Sequence, residues 1–484
     1  MKRNIAKKVL LFLLMSFSLG GHGQTTTRMD TVIHRWARQG ILKHATIGVY
    51  LEDAATGEML GSFNPHLSLA PASTLKLVTT ATALEVLGPD YRFSTRLALS
   101  GTVRNDTLAG DLVIVGGGDP ALGSKYFAEH YLKDYFLKTW VDSLYACNIR
   151  YIRGNIIPDA SIYDDQTIPP TWIWEDMGNY YGAGVSGLSF CDNLCEIHLW
   201  SSPAAGRPTR ILSVNPVIPG VTFDNRVVSS DDQRDQAYVF GSPFDSQRVI
   251  RGTIPKGKKD FVIRASVPNP AQLLAGEFRN LARTRGIKIG GQISGDKTRS
   301  YKSMVTLATT FSPPLKDLIS VTNHESVNLF AEHLLKHLAY VETGAGTTPE
   351  GIRVVTDFWK NKGIDTEGLF LCDGSGLSRL NALTGKQMVQ VLAYMKKSRN
   401  GDVFFHSIPA VPDGTLYSFN PQHFPEKCLR AKSGSMTRIR CYAGLLRTAS
   451  GREVLFDIAL NNFACSQNEA IDAIEKLLVS MCRL

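Results

Sequence analysis

Ser73-Thr74-Leu75-Lys76 stands at the head of an apolar run, residues 72–87, that stops at Gly88-Pro89 and reads as a helix. A spacing of three puts the Ser73 hydroxyl and the Lys76 amine on one face, within hydrogen-bond reach. A hydroxyl is a poor nucleophile until a base takes its proton, and a lysine takes it only where burial or a neighbouring cation lowers its pKa. Leu75, Leu77 and Val78 supply such burial. Alone the motif is weak: Ser294-Gly295-Asp296-Lys297 has the same spacing in a glycine-rich turn, and a first-turn serine on a packed helix needs no chemistry to explain it.

Two further elements give it weight. Ser326-Val327-Asn328 opens a second helix, in which Val327, Phe330, Ala331, Leu334, Leu335 and Leu338 form one stripe. Lys432-Ser433-Gly434 ends a strand-like run and is the only Lys-[Ser/Thr]-Gly in the chain. Ser-x-Asn recurs at Ser62, Ser213 and Ser418, so it says little by itself. The signal lies in the order and local context of the three: helix start, helix start, edge strand.

Around these motifs the chain alternates in texture. Residues 28–42 read as a helix, and 45–51 with 58–63 as a strand pair turning at Ala55-Thr56-Gly57. From about residue 91 to 303 short β-type runs dominate: 95–103, 111–115, 149–157, 197–201 and 261–267. Two helices stand among them, 125–146 and one opening at Asn269-Pro270. The chain closes with strand-like runs at 427–433, 440–447 and 453–460, then a helix from Ser466, which has capping-box spacing to Glu469. Neither the first strand pair nor the closing strands can bury a sheet face alone, so the two sets are expected to join in one sheet, an α/β domain split by a β-rich insertion.

Composition bounds the function. With 484 residues, 43% hydrophobic and 20% charged, the chain is neither disordered nor a many-spanning membrane protein. Its +9 formal charge falls to +5 without Lys2, Arg3, Lys7 and Lys8, too little to argue for nucleic-acid binding. Those lysines and Arg3 precede the apolar run 9–19 and small residues at Gly21 and Gly23, which reads as a cleavable secretory signal over residues 1–23, the alternative being an uncleaved anchor. Export makes some disulfides among the eight cysteines an expectation, with no pairing fixed by sequence. Other chemistry fails. After Gly118-x-x-x-x-Gly123 comes Ser124-Lys125, the reverse of a phosphate loop, and there is no His-Glu-x-x-His. His324-Glu325 and Glu332-His333 read as surface or supporting groups, and no metal or cofactor is expected.

With the three motifs in this order, the chain resembles the D-alanyl-D-alanine carboxypeptidase/endopeptidase family of low-molecular-mass penicillin-binding proteins, whose serine domain is interrupted by a long insertion. The 253 residues between Ser73 and Ser326 exceed what a β-lactamase of similar plan needs. Gly116-Gly117-Gly118-Asp119-Pro120, residues 174–179 and Asp373-Gly374-Ser375-Gly376-Leu377-Ser378-Arg379 are family-like phrases. The resemblance implies a β-lactamase/transpeptidase-like antiparallel sheet covered by helices, class α/β (α+β). The catalytic domain would occupy 24–95 and 305–484, and a β-rich insertion of two nested small domains 96–304. It also implies Ser73 as acylated nucleophile, Lys76 as proton acceptor, Ser326 as proton relay to the leaving amine, and Asn328 as the group holding Lys76 or substrate backbone. Lys432 and Ser433, followed by Gly434, would bind the terminal carboxylate, and the N–H groups of Ser73 and Ser435 the oxyanion. In some members an acid and an aromatic of the insertion, with an Arg of the main domain, grip the free end of a diaminopimelate side chain, and the matching positions here are Asp176, Tyr181 and Arg379. Ser433 stands where Thr is usual and Tyr181 where Phe is usual. The implied partners are peptidoglycan stem peptides and, as covalent inhibitors, β-lactam antibiotics, in the periplasm or cell envelope, with a homodimer left open beside a monomer.

Two other readings stand against this one. A secreted β-lactamase or esterase on the same fold would differ in how fast its acyl-enzyme is hydrolysed, and would require a base positioned for water, which the sequence does not show. A non-catalytic cell-wall binding protein would have no need to keep Ser73, Lys76 and Lys432 together.

Overall fold

The computed structural model describes residues 28–130, 133–294 and 304–484. The expected signal segment and Lys297 of the second Ser-x-x-Lys match lie outside the described residues.

Five antiparallel strands form the central sheet. They are β1 (Thr46–Asp53), β2 (Met59–Phe63), β3 (Leu429–Met436), β4 (Ile439–Arg447) and β5 (Glu453–Asn461), in the spatial order β3-β4-β5-β1-β2. The expected union of early and late strands is made by β1 against β5, where Thr46 pairs Asn461 and Asp53 pairs Val454. Because the sheet is covered on both sides, its central strands are buried at nearly every position. Alternate residues sort into two cores. Val49, Leu51, Phe456, Ile458 and Leu460 pack under the helix Arg28–Ala37 and the C-terminal helix Gln467–Met481. Tyr50, Ala443 and Leu455 face the other core, with α1 (Lys76–Leu87) and the helix Gly385–Lys397.

A single turn of 3-10 helix, Ala72–Leu75, runs directly into α1. Residues 76–84 of α1 are all buried, so this is a helix covered all round rather than an amphipathic one. Its threonines are satisfied locally: Thr80 and Thr82 donate to the carbonyls of Lys76 and Val78, and Thr79 to Gly374. Helix α2 (Asn328–Thr343) packs against α1 and ends at Gly344 in the left-handed conformation, φ 78°.

Between α1 and α2 lie the other sheets. A six-stranded sheet includes the hairpin Ser94–Arg104/Thr107–Val115 and the strand Val305–Phe311, whose Phe311 pairs Ser94. A three-stranded sheet holds Phe261–Ser266, Leu194–Trp200 and Arg210–Asn215, and smaller sheets fill residues 222–255.

Several local expectations are corrected. The helix read at 125–146 is a short 3-10 turn, Lys125–Phe127, and a separate helix, Lys133–Ala146. The run 149–157 is two short strands, Tyr151–Ile152 and Ile156–Asp159, parted where Gly154 lies against the Gly110 carbonyl. Lys432-Ser433-Gly434 lies inside β3, which continues to Met436. All eight cysteines are free thiols, Cys428 and Cys482 being hydrogen-bonded to each other, so the expected disulfides are not present. Glu332 and His333 are buried, not surface groups.

Candidate active site

Ser73 lies on the wall of a cleft of about 370 Å³. The backbone around it is unusual. Ala72 and Ser326 both have positive φ, 47° and 58°, without being glycine, and such conformations persist only where the surroundings enforce them. The edge strand β3 comes against the turn that holds Ser73 because residue 434 is glycine. A Cβ there would strike the Pro71 carbonyl and lie 3.1 Å from the Ser73 nitrogen.

Lys76 is fully buried, and its Nζ has three partners: Ser73 Oγ at 2.9 Å, Asn328 Oδ1 at 2.6 Å and the Ser375 carbonyl at 2.7 Å. Burial pushes the amine down to about 7, against the opposing pull of Asp373 and Glu332. A neutral amine has two N–H donors and one lone pair. The Asn328 oxygen and the Ser375 carbonyl only accept, so the donors go to them and the lone pair is left for the Ser73 hydroxyl proton.

Asn328 has a second contact, Nδ2 donating to the Tyr181 carbonyl at 2.8 Å, which ties α2 to the inserted segment. On β3, the buried Lys432 Nζ donates to Ser326 Oγ and to the Ser433 carbonyl, both at 2.9 Å. Burial, with Lys76 and Arg440 nearby, drives its pKa well below the ordinary lysine value. Since Lys432 donates to Ser326 Oγ, the Ser326 proton is free to point into the cleft. Ser433 Oγ donates to Thr415 Oγ1 at 2.7 Å, a partner that sequence reasoning did not find.

Of the remaining predicted site residues, Ser435, Asp176, Tyr181 and Arg379 line the same cleft as Ser73, Ser326 and Asn328. Asp176 accepts from the Tyr181 hydroxyl, and burial raises its carboxyl against the pull of that bond and of Arg379. Glu175, Asp192 and Glu325 also line the cleft, making it more acidic than the predicted set implied.

Two carboxylates support the site: Asp373, which was missed, and Glu332, for which the supporting reading holds and the surface one does not. Asp373 accepts from the N–H groups of Gly376 and Ser378 at 2.8 and 2.6 Å, from Asn381 at 2.8 Å and from the Trp172 indole at 2.9 Å. Glu332 accepts from Gly374 and Ser375, and burial beside Asp373 pushes it up to about 8. One signal existed: Glu332 follows Asn328 by four, which puts both on one helix face.

A family model described as the D-Ala-D-Ala carboxypeptidase 3 (S13) family matches residues 30–482. The D-alanyl-D-alanine carboxypeptidase of Actinomadura sp. (strain R39) is 28% identical over 434 residues, 87% of this chain and 78% of that protein. Among solved structures, penicillin binding protein 4 of Haemophilus influenzae superposes with a TM-score of 0.79 at 23% identity, over 91% of this chain and 97% of that one. The same protein complexed with a β-lactam superposes at 0.74 and 22% identity, with the same coverage.

Proposed function

The chain belongs to the D-Ala-D-Ala carboxypeptidase 3 (S13) family, and from that premise we propose that it cuts D-Ala-D-Ala stem peptides of peptidoglycan, and cross-links between them, through an acyl-enzyme on Ser73. As a member it is a serine-type D-Ala-D-Ala carboxypeptidase with a mixed α/β fold; the residue roles are our reading of the geometry. The observation that carries them is the Lys76 amine, which lies 2.9 Å from Ser73 Oγ and meets two obligate acceptors, so that its neutral form keeps a lone pair for the Ser73 proton.

In this mechanism Lys76 Nζ takes the Ser73 proton as Oγ attacks the carbonyl of the penultimate D-Ala. The N–H groups of Ser73 and Ser435 hold the oxyanion. The proton reaches the leaving D-Ala amine through Ser326, whose oxygen is already occupied by the Lys432 donor. Lys432, with Ser433, meets the terminal carboxylate, which restores a full charge to an ammonium that burial otherwise disfavours. Water then releases the acyl group. Asp176, Tyr181 and Arg379 grip the third residue of the stem, and the acidic wall suits an amino group there. The inserted chain builds this wall, and because Val305–Phe311 pairs with Ser94–Arg104 in its main sheet, it runs past the expected bounds of 96 and 304. A β-lactam acylates Ser73 in the substrate's place, and the chain works after export, residues 1–23 being its signal. Among the described residues no helix is long and apolar enough to cross a membrane.

Ser73→Ala tests the reading. Labelling by a fluorescent penicillin and D-Ala release from a pentapeptide should both vanish while the thermal melt is unchanged; normal labelling of the variant removes Ser73 as nucleophile. Digestion of purified cell wall, with mass analysis of the released peptides, shows whether cross-links are cut too.

A further inference from the structure

The mechanism above uses Lys76 but leaves open what aligns it. Of its three partners, Ser375 offers a backbone carbonyl on a loop, and loops are not rigid by default. This one is held on both sides. Glu332, one turn beyond Asn328 on α2, accepts from the Ser375 N–H at 2.7 Å and from the Gly374 N–H at 3.1 Å on each oxygen. From α1, Thr79 donates to the Gly374 carbonyl at 2.7 Å. Residue 374 must be glycine for this approach, since a Cβ would come within 2.8 Å of the Ala331 carbonyl of α2.

We propose that Glu332 is a positioning residue for the general base: it fixes the Ser375 carbonyl against Lys76 Nζ, and its carboxylate helps set the proton affinity of that amine. The inference rests on Lys76 being the base. The groups that bear on Lys76 are Glu332 from α2, Asp373 from the same turn as Ser375, and Lys432 from β3. The two carboxylates favour the ammonium, so burial pushes one way and Glu332 and Asp373 the other, while between the two lysines it is Lys432 that their repulsion pushes down. Glu332 itself is raised by burial and by Asp373, so it and Lys76 titrate as one pair, and the share of negative charge that Glu332 carries in that pair is what holds the ammonium on. Asp373 already accepts four hydrogen bonds from its own surroundings, so the carboxylate aimed at the Ser375 amide is Glu332 alone.

The test is the second-order rate of acylation by a chromogenic penicillin, measured from pH 5.5 to 9.5 for the full chain and its variants. Glu332→Gln keeps an oxygen for the two amides but removes the charge. Its acid limb should move to lower pH, because the ammonium loses a stabilising neighbour. Glu332→Asp keeps the charge but withdraws it by one methylene. Its plateau should fall at least tenfold with the limb nearly in place. A merely structural carboxylate would lower rates without moving the limb, so an unmoved limb in Glu332→Gln overturns the proposal, as does a wild-type plateau in Glu332→Asp. Should Glu332→Gln lack a cooperative melt, Glu332→Ala, which also removes the charge, is read for the same limb: a limb at lower pH supports the proposal and an unmoved limb overturns it. Wild type is the control: if it is not acylated at all, the failure lies with the proposed function and not with Glu332.

Discussion

Replacing Asn328 by aspartate changes one atom type beside the proposed base and leaves the shape of the side chain intact. In the native arrangement Oδ1 accepts from Lys76 Nζ at 2.6 Å and Nδ2 donates to the Tyr181 carbonyl at 2.8 Å. Asn328→Asp sets a full negative charge next to an amine that burial has brought down to about 7. Two charges about 4 Å apart at an effective dielectric of 20 interact by roughly 4 kcal/mol. At 1.36 kcal/mol per unit, this raises the lysine by about three units, to roughly 10. At pH 7 the free amine then falls from about half the molecules to about one in a thousand, and acylation slows several-hundredfold. The loss of the donor to Tyr181 adds a pH-independent deficit of about 1–3 kcal/mol. The two effects separate in a pH series with a chromogenic penicillin: below the new limb the rate should climb about tenfold per pH unit, and above it only the constant deficit should remain. A deficit of the same size at every pH would refute the assignment of Lys76 as the base, because it would show that the added charge acts on nothing that titrates.

Lys432→Ala should weaken capture of a substrate ending in a free carboxylate about ten- to a hundredfold, the worth of a charge-assisted hydrogen bond, and should leave a C-terminally amidated analogue nearly unaffected; equal losses on both, read as kcat/KM for D-Ala release, would remove Lys432 from carboxylate binding. Away from the cleft, the Arg452 guanidinium beside Asp53 holds that carboxyl down to about 2 from 3.8. A depressed folded-state value stabilises above the unfolded pKa, so this contribution is complete above about pH 5 and is lost as pH falls toward 2. Asp53→Asn should flatten the melting temperature against pH over that window, and a wild-type slope would count against the pair.

What the sequence disclosed and what it hid follow from the same physics. Ser73/Lys76 and the strand of Lys432 were legible because their geometry is local: a spacing of three on a helix, a period of two on an edge strand. The single sheet was legible because two short sets of strands had no other way to cover an apolar face, and Thr46 pairing Asn461 is the result. What Glu332 and Asp373 hold was not legible, because a carboxylate that accepts backbone amides has no partner visible as a side chain in the sequence. Ser433 and Thr415 meet across 18 residues, through loops with no periodicity to predict them. The cysteines misled for a related reason: export predicts pairing in general, but pairing needs specific separations that spacing along the chain does not encode.

Helix α2 explains why the inserted segment and the proposed catalytic residues belong to one unit. Along one edge it presents Asn328 and Glu332 to Lys76 and its loop. Along the other, each turn is closed by the inserted chain. His333 pairs with Ser189 at 2.8 Å and the Gly118 carbonyl at 2.9 Å; Lys336 donates to Asp164 at 2.5 Å and the Gln166 carbonyl at 2.7 Å; His337 meets Tyr163 at 3.2 Å, while its other nitrogen takes Tyr91 at 2.6 Å. Burial pushes His333 down to about 3 and His337 to about 4, so both remain neutral and need these partners. Each buried polar group left without one costs about 1–3 kcal/mol, and three of them would consume a large part of a domain's net stability. Asn328 then joins the two edges, with Lys76 on one side of its amide and Tyr181 on the other. The inserted wall of the cleft is therefore hydrogen-bonded, through a single side chain, to the amine proposed as the base.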